Sequence, residues 1–134
     1  MLKILIVDDS LIIRKKVKKL VEVLGHEVLN SAKNGQEAID MYKEARPDLV
    51  TMDITMPDMD GITAVKEIMK VDNEAKIIMV TSHGQEDMVI QSIKAGAVGY
   101  MLKPISEDKF AAAIGEVFEE YAEESEDSDL LDID

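Results

Sequence analysis

Cysteine is absent from the 134 residues. Disulfides and thiolate metal sites are therefore excluded, and the composition is compatible with the cytoplasm, the location expected for this chain. Cations are scarce: 15 Lys and Arg stand against 28 Asp and Glu, a formal net charge of −13. Direct nucleic-acid binding is not expected of so acidic a chain, because it depends on cationic neutralisation of phosphates. Long apolar runs are missing too. Runs such as "ILIV" and "IIMV" are strand-sized, far short of the roughly 20 residues that cross a bilayer. No basic-then-apolar leader with a cleavage site opens the chain, so no membrane association is expected. There is no internal repeat and no interior linker that would mark a second folded unit.

What is present is an ordinary globular composition, 46% hydrophobic and 32% charged, in a chain long enough for one well-buried core. The acidity is uneven. "YAEESEDSDLLDID", residues 121–134, carries seven acids and no Lys or Arg, so −7 of the −13 lies there and −6 remains for residues 1–120. The expected organisation is one domain over residues 1–121 followed by an acidic, disordered tail over 122–134. The sharper alternative for the tail is that "DLLDID" (129–134), with three aliphatics among its acids, docks on a partner or competes for an output face.

Five apolar runs alternate with five helical patterns: "KILIV" (3–7), "EVLNS" (27–31), "DLVTM" (48–52), "KIIMV" (76–80) and "GYML" (99–102). Between them Ile13, Val17, Leu20 and Leu24 share one helix face, as do Ile39 with Tyr42, Ile62 with Val65 and Met69, and Val89 with Ile93. Phe110, Ala113, Val117 and Tyr121 supply the face of a last helix. Ser10 and Ser106 suit helix starts, Gly25 and Gly96 helix stops, and Pro47 and Pro57 bracket the third strand without interrupting it. Strand–helix alternation with uninterrupted apolar central strands predicts an α/β fold, a doubly wound five-stranded parallel sheet with helices on both faces. Ligand sites in such sheets lie beyond the carboxyl ends of the strands.

Those ends are polar in a patterned way. Strand one runs into Asp8 and Asp9, strand three into Asp53, strand four into Thr81, strand five into Lys103 before Pro104, and strand two stops blandly at Ser31. Two carboxylates about 5 Å apart repel by roughly 3 kcal/mol at an effective dielectric of 20. A hard cation relieves that repulsion, and an all-oxygen ligand set favours Mg²⁺, or Mn²⁺, over Zn²⁺. Mg²⁺ retains waters, so such a site stays open to a phosphate, with Lys103 and Thr81 available to its oxygens. Asp53, between metal and lysine, is placed to attack phosphorus. Taken singly, each residue has an ordinary alternative: a helix cap for Asp9 or Ser10, an Asx turn for Asp53, a turn for "KP", a strand end for Thr81. Their coincidence at one sheet edge is what points to chemistry.

With "ILIVDDS", "NGQEAI", "DLVTMDITMPDMDG", "IIMVTS" and "KAGAVGYMLKP" in this order, the chain from about residue 2 to residue 119 resembles the receiver domains of two-component response regulators, particularly the single-domain chemotaxis, CheY-like type. The resemblance implies strand order 2-1-3-4-5. It implies that Asp53 is the phosphoacceptor for a sensor histidine kinase and Asp9 a direct Mg²⁺ ligand. Asp8 would act through water, and the Thr55 carbonyl would complete the protein ligands. Thr81 and Tyr100 would be the switch pair and Lys103 the family's lysine. Output would pass through the surface of the fourth helix, fifth strand and fifth helix to a flagellar motor switch or another regulator, the protein being a monomer and its only catalysis being of its own phosphorylation and dephosphorylation. Thr55 and His83 occupy positions that in the family affect water's access to the phosphoryl group; a pH-dependent role for His83 competes with that of a plain solvated loop histidine. Rival expectations are a fragment of a longer regulator, a phosphorelay intermediate, a pseudo-receiver used only for contacts, and a haloacid-dehalogenase-type phosphohydrolase. The last wants an acid where Thr55 stands.

Overall fold

A computed structural model describes residues 1–82 and 86–122. The elements alternate as β1 (Lys3–Val7), α1 (Leu11–Val23), β2 (Glu27–Ala32), α2 (Gly35–Ala45), β3 (Leu49–Asp53), α3 (Gly61–Val71), β4 (Ile77–Thr81), α4 (Glu86–Ala95), β5 (Gly99–Leu102) and α5 (Glu107–Val117), with a 3₁₀ turn at Glu119–Tyr121. The strands form one parallel sheet in the order β2-β1-β3-β4-β5. β3 and β4 each run one residue past their apolar runs and end, as expected, on Asp53 and Thr81. β2 ends at Ala32, not Ser31.

The uninterrupted apolar runs have a direct cause. β3 and β4 are buried at every position, and successive residues feed two separate cores. Ile4, Ile6, Leu49, Ile78 and Val80 face Val17 and Val21 of α1 and Phe110 and Ile114 of α5. Leu5, Val7, Val50, Met52, Ile77 and Met79 face Ala38, Ile39 and Tyr42 of α2 and Ala64, Val65 and Ile68 of α3. Ser10 and Ser106 cap α1 and α5 by accepting from the backbone N–H of Ile13 and Lys109, and Gly25 and Gly96 follow α1 and α4 at positive φ.

Two helix expectations are corrected. Val89 and Ile93 do not form the inward face of α4: Ile93 is 47% exposed, and the one buried residue of that helix is Ser92. Apolar residues surround α4 on several sides, so spacing alone misassigns its face. Ser92 can turn inward because its hydroxyl donates to the Met88 carbonyl at 2.8 Å. Tyr121 is not on α5, which stops at Val117. The backbone at residues 121 and 122 folds back over Gly115, where a Cβ would lie only 3.1 Å from the Ala122 Cα. That approach brings the Tyr121 ring edge-on to His26, centroids 4.8 Å apart. The acidic segment 123–134 and His83 lie outside the described residues.

Candidate phosphoryl-transfer and metal site

The sheet register assembles the site. Val7 pairs with Met52 and Asp53 with Val80, so the chain leaves β1 at Asp8 beside the last residue of β3. Asp8 and Asp53 are 2% and 5% exposed, Asp9 is open to solvent, and each contributes a carboxylate oxygen to a group spanning no more than 4.8 Å. Thr81 pairs with Leu102 across β4 and β5, and the Lys103 N–H donates to the Thr81 carbonyl at 2.8 Å. From that anchor the Lys103 ammonium lies 2.9 Å from Asp8 Oδ2 and 3.6 Å from Asp53 Oδ1. The Lys103–Pro104 peptide is cis. A cavity of about 340 Å³ lined by Ile13, Lys16, Ser82, Lys103, Pro104 and Ile105 lies alongside.

Asp8 is fixed at three points. Its Oδ2 takes Lys103, its Oδ1 accepts from the Ser10 N–H at 2.9 Å, and its carbonyl accepts from Arg14 Nη1 at 2.7 Å. Arg14 is a supporting residue that the sequence does not single out, since it is one of five cations among residues 14–19 and only the fold tells it apart from its lysine neighbours. Gly61 is another. Its N–H donates to the Ile54 carbonyl at 2.7 Å, and a Cβ there would collide with the Asp53 carbonyl oxygen. The start of α3 is thus pressed against the end of β3. Of the carboxylates in "DMDG", Asp60 caps α3 through the Thr63 N–H at 2.8 Å, and Asp58 is exposed at positive φ. Neither joins the cluster.

Thr81 is 1% exposed, whereas Tyr100 is 48% exposed and not packed into the core. Thr55, two residues beyond Asp53, is exposed.

The electrostatics are one-sided. Three acids face one lysine. Burial, then the Asp8 charge, push the Asp53 carboxyl up to about 6, against the pull of Lys103. Burial works against the Lys103 ammonium, yet the hydrogen bond to Asp8 and the charges of Asp53 and Asp8 outweigh it and hold the group above its ordinary value. Such a set of oxygens, with no sulfur or imidazole in the cluster, suits a hard divalent cation. Asp8, Asp9 and Asp53 therefore fit Mg²⁺.

Comparison with known proteins agrees with this geometry. The family model described as "Response regulator receiver domain" matches residues 4–115. The chemotaxis protein CheY of Thermotoga maritima is 49% identical over 115 residues, covering 86% of this chain and 96% of that protein. The CheY of Bacillus subtilis is 51% identical over 112 residues, 84% of this chain and 93% of its own. Among solved structures, a CheX–CheY–BeF₃–Mg²⁺ complex from Borrelia burgdorferi superposes with a TM-score of 0.84 at 36% identity, covering 87% of this chain and 88% of that one. The strand order, the acidic sheet edge and these similarities together mean that the chain belongs to the response regulator receiver domain family and is CheY-like.

Proposed function

We propose that this protein is a phosphorylation-activated switch in which Asp53 accepts a phosphoryl group from a sensor histidine kinase, in a chemotaxis or motility pathway. The observation that carries this reading is the buried Asp53 carboxylate held within 3.6 Å of the Lys103 ammonium, in a carboxylate cluster with Asp8 and Asp9. Mg²⁺ would be held by Asp8, Asp9 and Asp53, with the Thr55 carbonyl as a further oxygen. When bound, it neutralises phosphoryl oxygens and lets them approach the acids.

The chain's own residues account for the rest. With its carboxyl at about 6, Asp53 is largely ionised at pH 7 and is a competent nucleophile. An Asp53 oxygen attacks phosphorus in line. As the O–P bond forms, the P–N bond to the kinase histidine breaks and its electron pair returns to the ring nitrogen. Lys103, anchored by its backbone to Thr81, would turn its ammonium from Asp8 toward the new phosphoryl oxygens, and the Thr81 hydroxyl would follow. Loss of the Lys103–Asp8 contact is the local event that would bias the fold toward its signalling state. Tyr100, half exposed, would turn inward behind Thr81. The apolar residues left open on α4, on β5 and in the connection between them (Ile90, Ile93, Leu102 and Val98) are the surface a downstream partner would read.

Intact-mass spectrometry after incubation with acetyl phosphate and Mg²⁺ tests this. The expected result is one labile phosphoryl group on wild type and none on Asp53→Asn. Failure of a folded wild type to take up either phosphate or the stable mimic beryllofluoride would refute it and favour a pseudo-receiver.

A further inference from the structure

The helix α1 has an outer face that the receiver reading leaves unused. Five of the chain's 15 cations fall within residues 14–19. Lys15, Lys16, Lys18 and Lys19 are all exposed. Bracketing them are three open aliphatics, Leu11 and Ile12 at 55% and 78% and Val23 at 57%. Helical spacing sorts these into two adjacent rows, Leu11-Lys15-Lys18-Glu22 and Ile12-Lys16-Lys19-Val23. A groove of about 200 Å³ runs among Leu11, Arg14, Lys15, Lys18 and Ser31.

From this face we infer that the chain's own acidic segment, residues 123–134, straps along α1. Three observations support that occupant. The first is where the segment starts. Tyr121 packs on His26 and, with Leu20 and Leu24, on the α1 side of the core, so the chain leaves the folded body at the carboxyl end of α1. The second is reach. Leu11 to Val23 spans about 18 Å of helix, and the eight steps from Ala122 to Leu130 cover up to about 26 Å when extended. The third is composition. Glu123, Glu124, Glu126, Asp127 and Asp129 precede Leu130, Leu131 and Ile133, so acids would pass the four lysines before aliphatics arrive at Leu11 and Ile12. The open face of α4, β5 and α5 is a poorer match. Glu86 and Asp87 begin α4, Glu107 and Asp108 begin α5 and Glu116 lies near its end, against Lys94 and Lys109, so that face repels an acidic strand. The strap's far end would lie beside Ser10, next to Asp8 and Asp9.

The absence of cysteine makes the test direct. A Ser128→Cys variant of the full chain carries a single nitroxide, and amide spectra report which residues it broadens. Selective loss of signal across Leu11–Lys19 at about 0.1 M salt is expected. The signal should return at about 1 M salt, where the screening length drops from about 10 Å to about 3 Å. Replacing Lys15, Lys16, Lys18 and Lys19 by Gln should restore it as well. A mixed sample, with spin label and nitrogen label on different molecules, should show no broadening. Broadening confined to α4 and β5, no selective broadening at all, or broadening that appears equally in the mixed sample would each overturn the inference, the last by making a second copy the occupant.

Discussion

Two aspartates lie against opposite ends of α3 and are treated in opposite ways. At its amino end, Asp53 is packed under the helix start among like charges, and its carboxyl is pushed up to about 6 by burial and by Asp8. At its carboxyl end, Asp72 accepts from the Tyr42 hydroxyl at 2.7 Å and from the Glu74 N–H at 3.0 Å, with Arg46 at 3.6 Å. Its carboxyl is held below its ordinary value, first by the Tyr42 hydrogen bond. One acid ties two helices together and is satisfied. The other shares a single lysine with Asp8 and keeps a repulsion that a metal or a proton would relieve. One carboxylate is given more partners than it needs; the other is given half of one.

The largest expected effect comes from disturbing the contact that holds Asp53 in place. Gly61→Ala sets a methyl against the Asp53 carbonyl, where only backbone can give way. It should cost about 2–3 kcal/mol in urea unfolding, in the range of overpacking substitutions, and should slow acetyl-phosphate labelling of whatever remains folded.

Next is the charge itself. Asp53→Asn removes the repelled carboxylate while keeping its shape, and in metal-free buffer at pH 7 it should gain roughly 2–3 kcal/mol, since the carboxyl is raised about two units and each unit corresponds to about 1.4 kcal/mol. The pH dependence follows in sign. A carboxyl raised in the folded state binds its proton more tightly there than in the unfolded chain. Its penalty is therefore absent below about 4 and complete above about 6. The gap in stability between Asp53→Asn and wild type should open between those values. A gap that stays constant from pH 4 to pH 7 would contradict the repulsion.

Mg²⁺ should close part of that gap from the other side. At ten times its dissociation constant it should stabilise wild type by about 1.4 kcal/mol, if it binds the native state alone. Asp53→Asn should respond much less. A melting temperature of wild type that ignores Mg²⁺ would remove the cation from the account.

The contrast between these two acids was only half visible in the sequence. Asp53 stood out because it ends an apolar run, and the same logic brought up Asp8, Asp9, Thr81 and Lys103; strand ends are legible because a buried strand tolerates so few polar residues. Asp72 sits in "KVDNEAK", an ordinary polar stretch, and its partner Tyr42 reads as plain helix-face core. The pair is 30 residues apart, and no local pattern encodes such a contact. Arg14 and Gly61 were missed for the same reason, since each acts on backbone that another element delivers. The inward face of α4 was misjudged for a different one. Ser92 is buried by virtue of a hydroxyl bond back into its own helix, which hydrophobic spacing cannot register.

The smallest expected effect tests the satisfied end of the comparison. Tyr42 is 2% exposed, and Tyr42→Phe keeps its packing while removing one hydrogen bond to a carboxylate that still touches water. The expected loss is about 1 kcal/mol, that of a single net hydrogen bond. Because the Asp72 carboxyl is held below its ordinary value, its contribution is present above about 4 and fades as pH falls through the lowered value. The difference between wild type and Tyr42→Phe should therefore shrink on acidification, whereas the difference made by Asp53→Asn also shrinks but carries the opposite sign. Measured side by side in urea, the two substitutions should move stability in opposite directions at pH 7; Asp53→Asn should converge on wild type by about pH 4, and Tyr42→Phe only below that, as pH falls through the lowered Asp72 value. If both destabilised at pH 7, the division between a satisfied structural acid and a repelled chemical one would fail.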